Sequence, residues 1–137
     1  MNTQTKESDI NAIYEAVSDY YGGWYEANPE RMMRCLHPNL AKRAPTMDEA
    51  GKEYLLHLTK EVMVDATTKG GGSAAPADKR HWIITILDSY KEIATVKVAS
   101  GEYMEYIHLV KQDGQWLIVN VIFTENRAMQ SAENLFT

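Results

Sequence analysis

The chain has 137 residues, 45% apolar and 24% charged, with a net charge of −5, and its lysines and arginines are scattered without a basic run. That is the composition of one soluble globular domain and argues against nucleic acid as the main partner. Cys35 is the only cysteine, which excludes an intrachain disulfide; a small residue packed at a helix end is its plain reading, a reactive thiol its sharper one. The opening nine residues are polar, without the apolar stretch of a secretory signal, and no run approaches the ~20 apolar residues of a membrane span. A cytoplasmic protein with no membrane partner is the expectation.

Ser8 or Asp9 can cap a first helix in which Ile10, Tyr14, Val17, Tyr21 and Trp24 recur at spacings of four and three, with Ile13 and Tyr20 widening the stripe. Gly22-Gly23 weakens its last turns. Asn28-Pro29-Glu30 restarts the chain as a short second helix that ends before His37-Pro38. Leu40–Arg43 reads as a small edge strand. Thr46 and Glu49 form a capping box, predicting a third helix to about Asp65 with Ala50, Tyr54, Leu55, Leu58 and Val62 on one face. Lys69 to Asp78, with three consecutive glycines and no Lys-Ser/Thr after them, is a flexible loop and not a phosphate cradle.

His81–Asp88 and Ile93–Ala99 are β-rich runs joined by a hairpin, and Ser100-Gly101 leads into Glu102–Lys111. Asp113-Gly114 then turns that strand into Gln115–Thr124. The last strand is apolar on both faces: Leu117, Val119, Val121 and Phe123 on one, Trp116 and Ile118 and Ile122 on the other, broken only by Asn120. A strand of that kind is covered twice. Pairing Leu117, Val119, Val121 and Phe123 with Tyr103, Glu105, Ile107 and Leu109 against the helices puts Met104, Tyr106, His108, Val110, Trp116 and Ile118 on the outer face. The whole is one α+β domain over residues 1–137, with its core at about 9–125 and a tail at 126–137.

These residues carry a resemblance. Tyr20 and Trp24, His37-Pro38-Asn39-Leu40-Ala41-Lys42-Arg43, Ile86-Leu87-Asp88, Ala94–Val98, Glu105-Tyr106 and Lys111–Asn120 fall in an order that resembles the nuclear-transport-factor-2-like (cystatin-like) superfamily. Within it the chain is most similar to the putative lumazine-binding and SnoaL-like small bacterial proteins, over roughly Asp9 to Glu125. The resemblance implies three N-terminal helices in the concave face of a strongly bent antiparallel sheet of four to six strands. It also implies a pocket at the wide end of the cone and a homodimer through the outer sheet face.

Glu105 falls on an apolar inner face, where an ionised carboxylate is expensive unless it meets a cation. A structural ion pair with Arg43 or Lys42 is its plain reading, and an acid working in a cleft is the sharper one. His37, beside the presumed mouth, and His57, at the edge of the third helix's apolar face, are the candidate acid/base partners; interface packing is the reading for His81 and His108. No histidine pair or Cys/His cluster has metal-ligand spacing, so neither a metal nor a cofactor is expected. Tyr14, Tyr20, Tyr21, Trp24 and Tyr103 supply aromatic walls with polar tips, the surface that small flat ligands use, and Arg43 and Asn120 are added as polar ligand contacts.

Three functions compete. A small-molecule-binding domain, for a flat heteroaromatic (lumazine-like) or apolar ligand, fits the aromatics and the missing catalytic set. A small lyase or isomerase would resemble the ketosteroid isomerase, scytalone dehydratase and polyketide cyclase relatives of this fold, a dehydratase using His37 or His57 with Glu105 and a tyrosine. The ketosteroid isomerases carry their base aspartate shortly after helix two, where Asn39–Pro45 holds Lys42 and Arg43 but no acid. The third is a structural dimer module whose cone is filled.

Overall fold

The computed structural model describes residues 6–126. Helix α1 (Glu7–Glu26) and α2 (Pro29–Cys35) are followed by β1 (Leu36–Met47), β2 (Glu53–Leu58) and α3 (Lys60–Thr68). A single 3-10 turn, Ala77–Lys79, precedes the meander β3 (Trp82–Tyr90), β4 (Ile93–Ser100), β5 (Tyr103–Gln112) and β6 (Gln115–Glu125). The strands form one sheet in the order β2-β1-β6-β5-β4-β3, and the three helices pack against this curved, unclosed sheet: an α+β cone. All neighbouring strands are antiparallel except β1 and β6, which run parallel.

The local signals explain most of the boundaries. Asn28 caps α2 by accepting a hydrogen bond from the Arg31 N–H, with Pro29 at the first helical position. Helix α1 begins at Glu7 without a side-chain cap, so neither Ser8 nor Asp9 has the expected capping role. Asp9 instead accepts hydrogen bonds from Lys111 Nζ at 2.8 Å and Trp116 Nε1 at 3.0 Å, fastening the helix to the β5–β6 hairpin. Asp113 and Gly114 both have positive φ, +52° and +77°, as the tight hairpin requires.

Two expectations need correction. The segment after Pro38 is not a small edge strand: β1 is 12 residues long and lies inside the sheet between β2 and β6. The helix expected from Thr46 does not form there. Asp48 Oδ1 accepts the N–H groups of Ala50 and Lys52, Gly51 turns at φ +82°, and residues 53–58 pair with β1 as strand β2. The third helix starts only at Lys60, capped by the Thr59 hydroxyl. Tyr54-Leu55-Leu56-His57-Leu58 satisfies helical and alternating patterns alike, and the partner strand decided between them.

The faces of β6 differ from expectation as well. Opposite β5, Ile118 pairs with Leu109 and Asn120 with His108, leaving Val119 as an extra residue. A bulge of one residue reverses the alternation. Val121 and Phe123 therefore face the helices as expected, but before the bulge it is Trp116 and Ile118 that do, at 3% and 0% exposure. Part of the two-faced greasiness of this strand is thus one inner face read across a bulge, while Ile122, 47% exposed, stays on the outer side.

The core joins Ile13, Val17, Tyr20 and Tyr21 of α1, Met32 of α2 and Met63 of α3 to Leu36, Leu40, Val96, Val98, Ile107, Leu109, Ile118 and Val121 of the sheet. Cys35 is part of it, its Sγ donating to the Met32 carbonyl oxygen at 3.3 Å, and burial pushes the thiol up to about 12. That is the packed, unreactive reading.

Candidate functional site

The inner face of β1 alternates Leu40, Lys42, Ala44, all buried, so the strand's pleat sends the Lys42 side chain into the cone. Glu105 enters from β5 by the same rule. From α1, Tyr20 and Tyr21 reach down to it. The Tyr20 hydroxyl donates to Glu105 Oε2 at 3.2 Å, and the Tyr21 hydroxyl donates to Oε1. Lys42 Nζ donates to the Tyr20 oxygen and lies 3.5 Å from Glu105 Oε2. Lys42 is 8% and Glu105 2% exposed. The two charges thus compensate each other in a dry place, and each carboxylate oxygen has a donor.

A cavity of about 180 Å³ opens over this group, lined by Tyr20, Tyr21, Trp24, Tyr25, Lys42, Leu58, Met63, Tyr103, Glu105 and Phe123. Its walls are largely aromatic. Tyr20 meets Tyr21 edge-on at 4.9 Å, and Tyr103 meets Phe123 edge-on at 5.8 Å. Trp82 stacks on both Tyr21 and Tyr25, at 5.7 and 6.1 Å, holding the tyrosines from behind. Lys42 Nζ sits 4.8 Å from the Tyr20 ring centroid and 4.6 Å from that of Phe123, within cation–π range. The glycine loop packs against the Trp24 wall: Gly72 N–H donates to the Trp24 carbonyl oxygen at 2.9 Å. A Cβ on Gly72 would stand 2.6 Å from the Trp24 indole, so this stretch is closely fitted to α1, not the free loop its composition suggests.

Burial sets the titration of the group. It lowers Lys42, with the Glu105 charge opposing it. Burial, reinforced by the Glu105 charge, raises Tyr20 and Tyr21 well above the ordinary tyrosine range. Both phenols therefore stay protonated and act as donors.

The expected site residues divide cleanly. Tyr20, Tyr21, Trp24, Tyr103 and Glu105 come together around the cavity. Tyr14 does not: it is 39% exposed on the outer side of α1. Arg43 follows Lys42 in the pleat and so faces the opposite side of the sheet, where its cross-strand neighbour is His57 of β2. His57 is exposed, on the outer face of a strand and not beside a helix stripe. Asn120 is also outside, next to His108 at 3.3 Å. His37 hydrogen-bonds Gln112 Oε1 through Nε2 and accepts the Asn39 N–H at Nδ1. Gln112 is seven residues along β5 from Glu105, about 23 Å at ~3.3 Å per residue. No histidine meets Glu105, so the acid/base pair expected from His37 or His57 is not assembled. Of the two cations considered for Glu105, Lys42 is the partner. Tyr25, Leu58, Met63 and Phe123 were not foreseen; Tyr25 lies four residues after Tyr21, a helical spacing that could have found it. Among the described residues no group of three or more His, Cys, Asp or Glu side chains is placed to hold a metal, and no helix is long and apolar enough to cross a membrane.

Comparison with known proteins agrees with this architecture. The profile of the family described as putative lumazine-binding matches residues 8–124. No functionally curated protein matches the sequence. Among solved structures, an NTF2-like protein of unknown function from Silicibacter pomeroyi is 16% identical, with a TM-score of 0.72 over 90% of this chain and all of the other. One from Methylobacillus flagellatus is 19% identical, with a TM-score of 0.67 over 92% and 98%. A domain of unknown function with a cystatin-like fold from Nostoc punctiforme is 12% identical, with a TM-score of 0.65 over 96% of each chain. At these identities the structures share the fold.

Proposed function

The chain belongs to the putative lumazine-binding family, and we propose that it is a small-molecule-binding protein whose ligand is a compact, flat, uncharged aromatic. The observation that carries this reading is the cavity itself: Tyr20, Tyr21, Trp24, Tyr103 and Phe123 line it beside the paired Lys42 and Glu105. A dry cavity of about 150 Å³ already accepts benzene, so about 180 Å³ suits one ring or a small bicycle such as a lumazine. The stacking walls supply affinity, and the Lys42 and tyrosine tips orient the ligand. A net-charged ligand would leave its charge uncompensated in the cone and is disfavoured.

Titration of the protein with lumazine, indole and toluene, followed by tryptophan fluorescence, tests the reading, because Trp24 lines the cavity and Trp82 backs it. Saturable quenching at sub-millimolar ligand, lost in Tyr103→Ala, is expected. Unsaturable quenching by all three would overturn it. The exposed apolar side chains Tyr106 and Ile122, neighbours on β5 and β6 outside the cone, favour a homodimer through the outer sheet face. Ile122→Glu should then sediment as a monomer that keeps its circular dichroism; a native protein already monomeric at micromolar concentration rejects the dimer.

A further inference from the structure

We propose that Lys42 is a carbonyl-capturing amine, and that the cavity holds a small aromatic aldehyde or ketone covalently as an imine on Lys42 Nζ. The proposal rests on the reading of the cavity as a ligand site and specifies the ligand's reactive group.

A lysine forms an imine when its nitrogen faces the substrate, carries a free electron pair and has a neighbour to handle the proton. The chain has nine lysines, and Lys42 is the buried one. It lines the cavity, and its nitrogen stands within 5 Å of two ring centroids, those of Tyr20 and Phe123. An aromatic carbonyl compound lying between those walls would bring its carbonyl carbon to the nitrogen. Burial lowers the lysine's pKa, so the uncharged amine is accessible nearer to neutrality than on the surface. The proton it sheds has the Tyr20 oxygen beside it and the Glu105 carboxylate beyond, at 3.2 Å from Tyr20.

The step balances without a co-reactant. The nitrogen pair forms the C–N bond while the carbonyl π pair moves to oxygen, which takes a proton from the Tyr20–Glu105 relay as the nitrogen returns one of its own. The carbinolamine oxygen then takes a second proton from the relay and leaves as water while the nitrogen pair closes the C=N bond, and the last N–H proton returns to the relay. Amine and carbonyl become imine and water, and no electrons enter or leave.

The test uses the whole chain with benzaldehyde at pH 7.5 and cyanoborohydride, which reduces the imine to a stable benzylamine, read by intact mass and peptide mapping. Lys42 should be modified on the order of tenfold faster than any surface lysine, because the cavity holds the aldehyde against its nitrogen. Benzyl alcohol, which has the same shape without the carbonyl, should slow that reaction. Lys42→Arg should remove the fast phase, with circular dichroism confirming the fold; if that variant unfolds, the competition experiment on the native chain decides alone. Labelling spread over surface lysines with Lys42 unmodified overturns the proposal. If lumazine or indole binds while benzaldehyde leaves Lys42 untouched, only the amine chemistry fails; if nothing binds, the ligand-site reading fails with it.

Discussion

Replacing Glu105 with Gln isolates the electrostatics of the cone. The carboxylate is 2% exposed, and Lys42 Nζ lies 3.5 Å from its Oε2. At that separation and an effective dielectric of ~20, the attraction is about 5 kcal/mol. Removing one partner of a buried pair costs about 3–5 kcal/mol, because the other charge is stranded. The variant should therefore lose about 3–5 kcal/mol at pH 7, a large part of a domain's total stability. The pH dependence is diagnostic. Burial already lowers Lys42, and Glu105 is what raises it, so the variant's lysine is lowered further. Between that folded value and the unfolded value of ~10.4, the unfolded chain binds the extra proton, and stability rises with pH. The deficit against the native chain should thus be largest near neutrality and shrink toward pH 10. Urea denaturation followed by circular dichroism from pH 6 to 10 measures this. A variant within about 0.5 kcal/mol of the native chain throughout would refute the buried pair. Lys42→Met with Glu105→Leu should recover most of the loss, since a well-packed apolar pair is often as stable as the ionic one.

Asp19 is held below the ordinary carboxylate range chiefly by its hydrogen bond to Arg34, with Arg31 adding to it. Its contribution is present above the unfolded pKa of ~3.9 and is lost as pH falls through the folded value. Asp19→Asn should therefore be less stable at pH 6 yet lose less on acidification to pH 2; parallel acid-denaturation curves would contradict the ion pair. Gly72→Val drives a Cβ to 2.6 Å from the Trp24 indole and should cost about 1–3 kcal/mol while shifting tryptophan emission; unchanged melting and emission would mean the loop does not pack on Trp24. Trp116→Ala should cost about 3–5 kcal/mol as a buried aromatic, and a change under about 1 kcal/mol would return Trp116 to the outer face.

The sequence by itself determined the element types that local chemistry controls. Asn28-Pro29 starts α2 because a side-chain acceptor and a preset φ act within one turn, and Asp113-Gly114 closes the last hairpin because its backbone needs positive φ. Alternation along β5 placed Glu105 on the inner face for the same local reason. Tertiary structure decided whatever depended on a distant partner. Residues 53–58 became a strand because β1 lay beside them, and Trp116 turned inward because β6 shifts register at Val119 against both neighbours. The site's cation was chosen the same way. Lys42 and Arg43 are adjacent and alike in sequence, but the pleat sends only one toward Tyr20 and Glu105, 22 and 63 residues away. Of the tail expected at 126–137, residues 127–137 lie outside the described residues. Periodicity reports which way a side chain points along its own strand, whereas a cavity exists only where several strands and a helix converge.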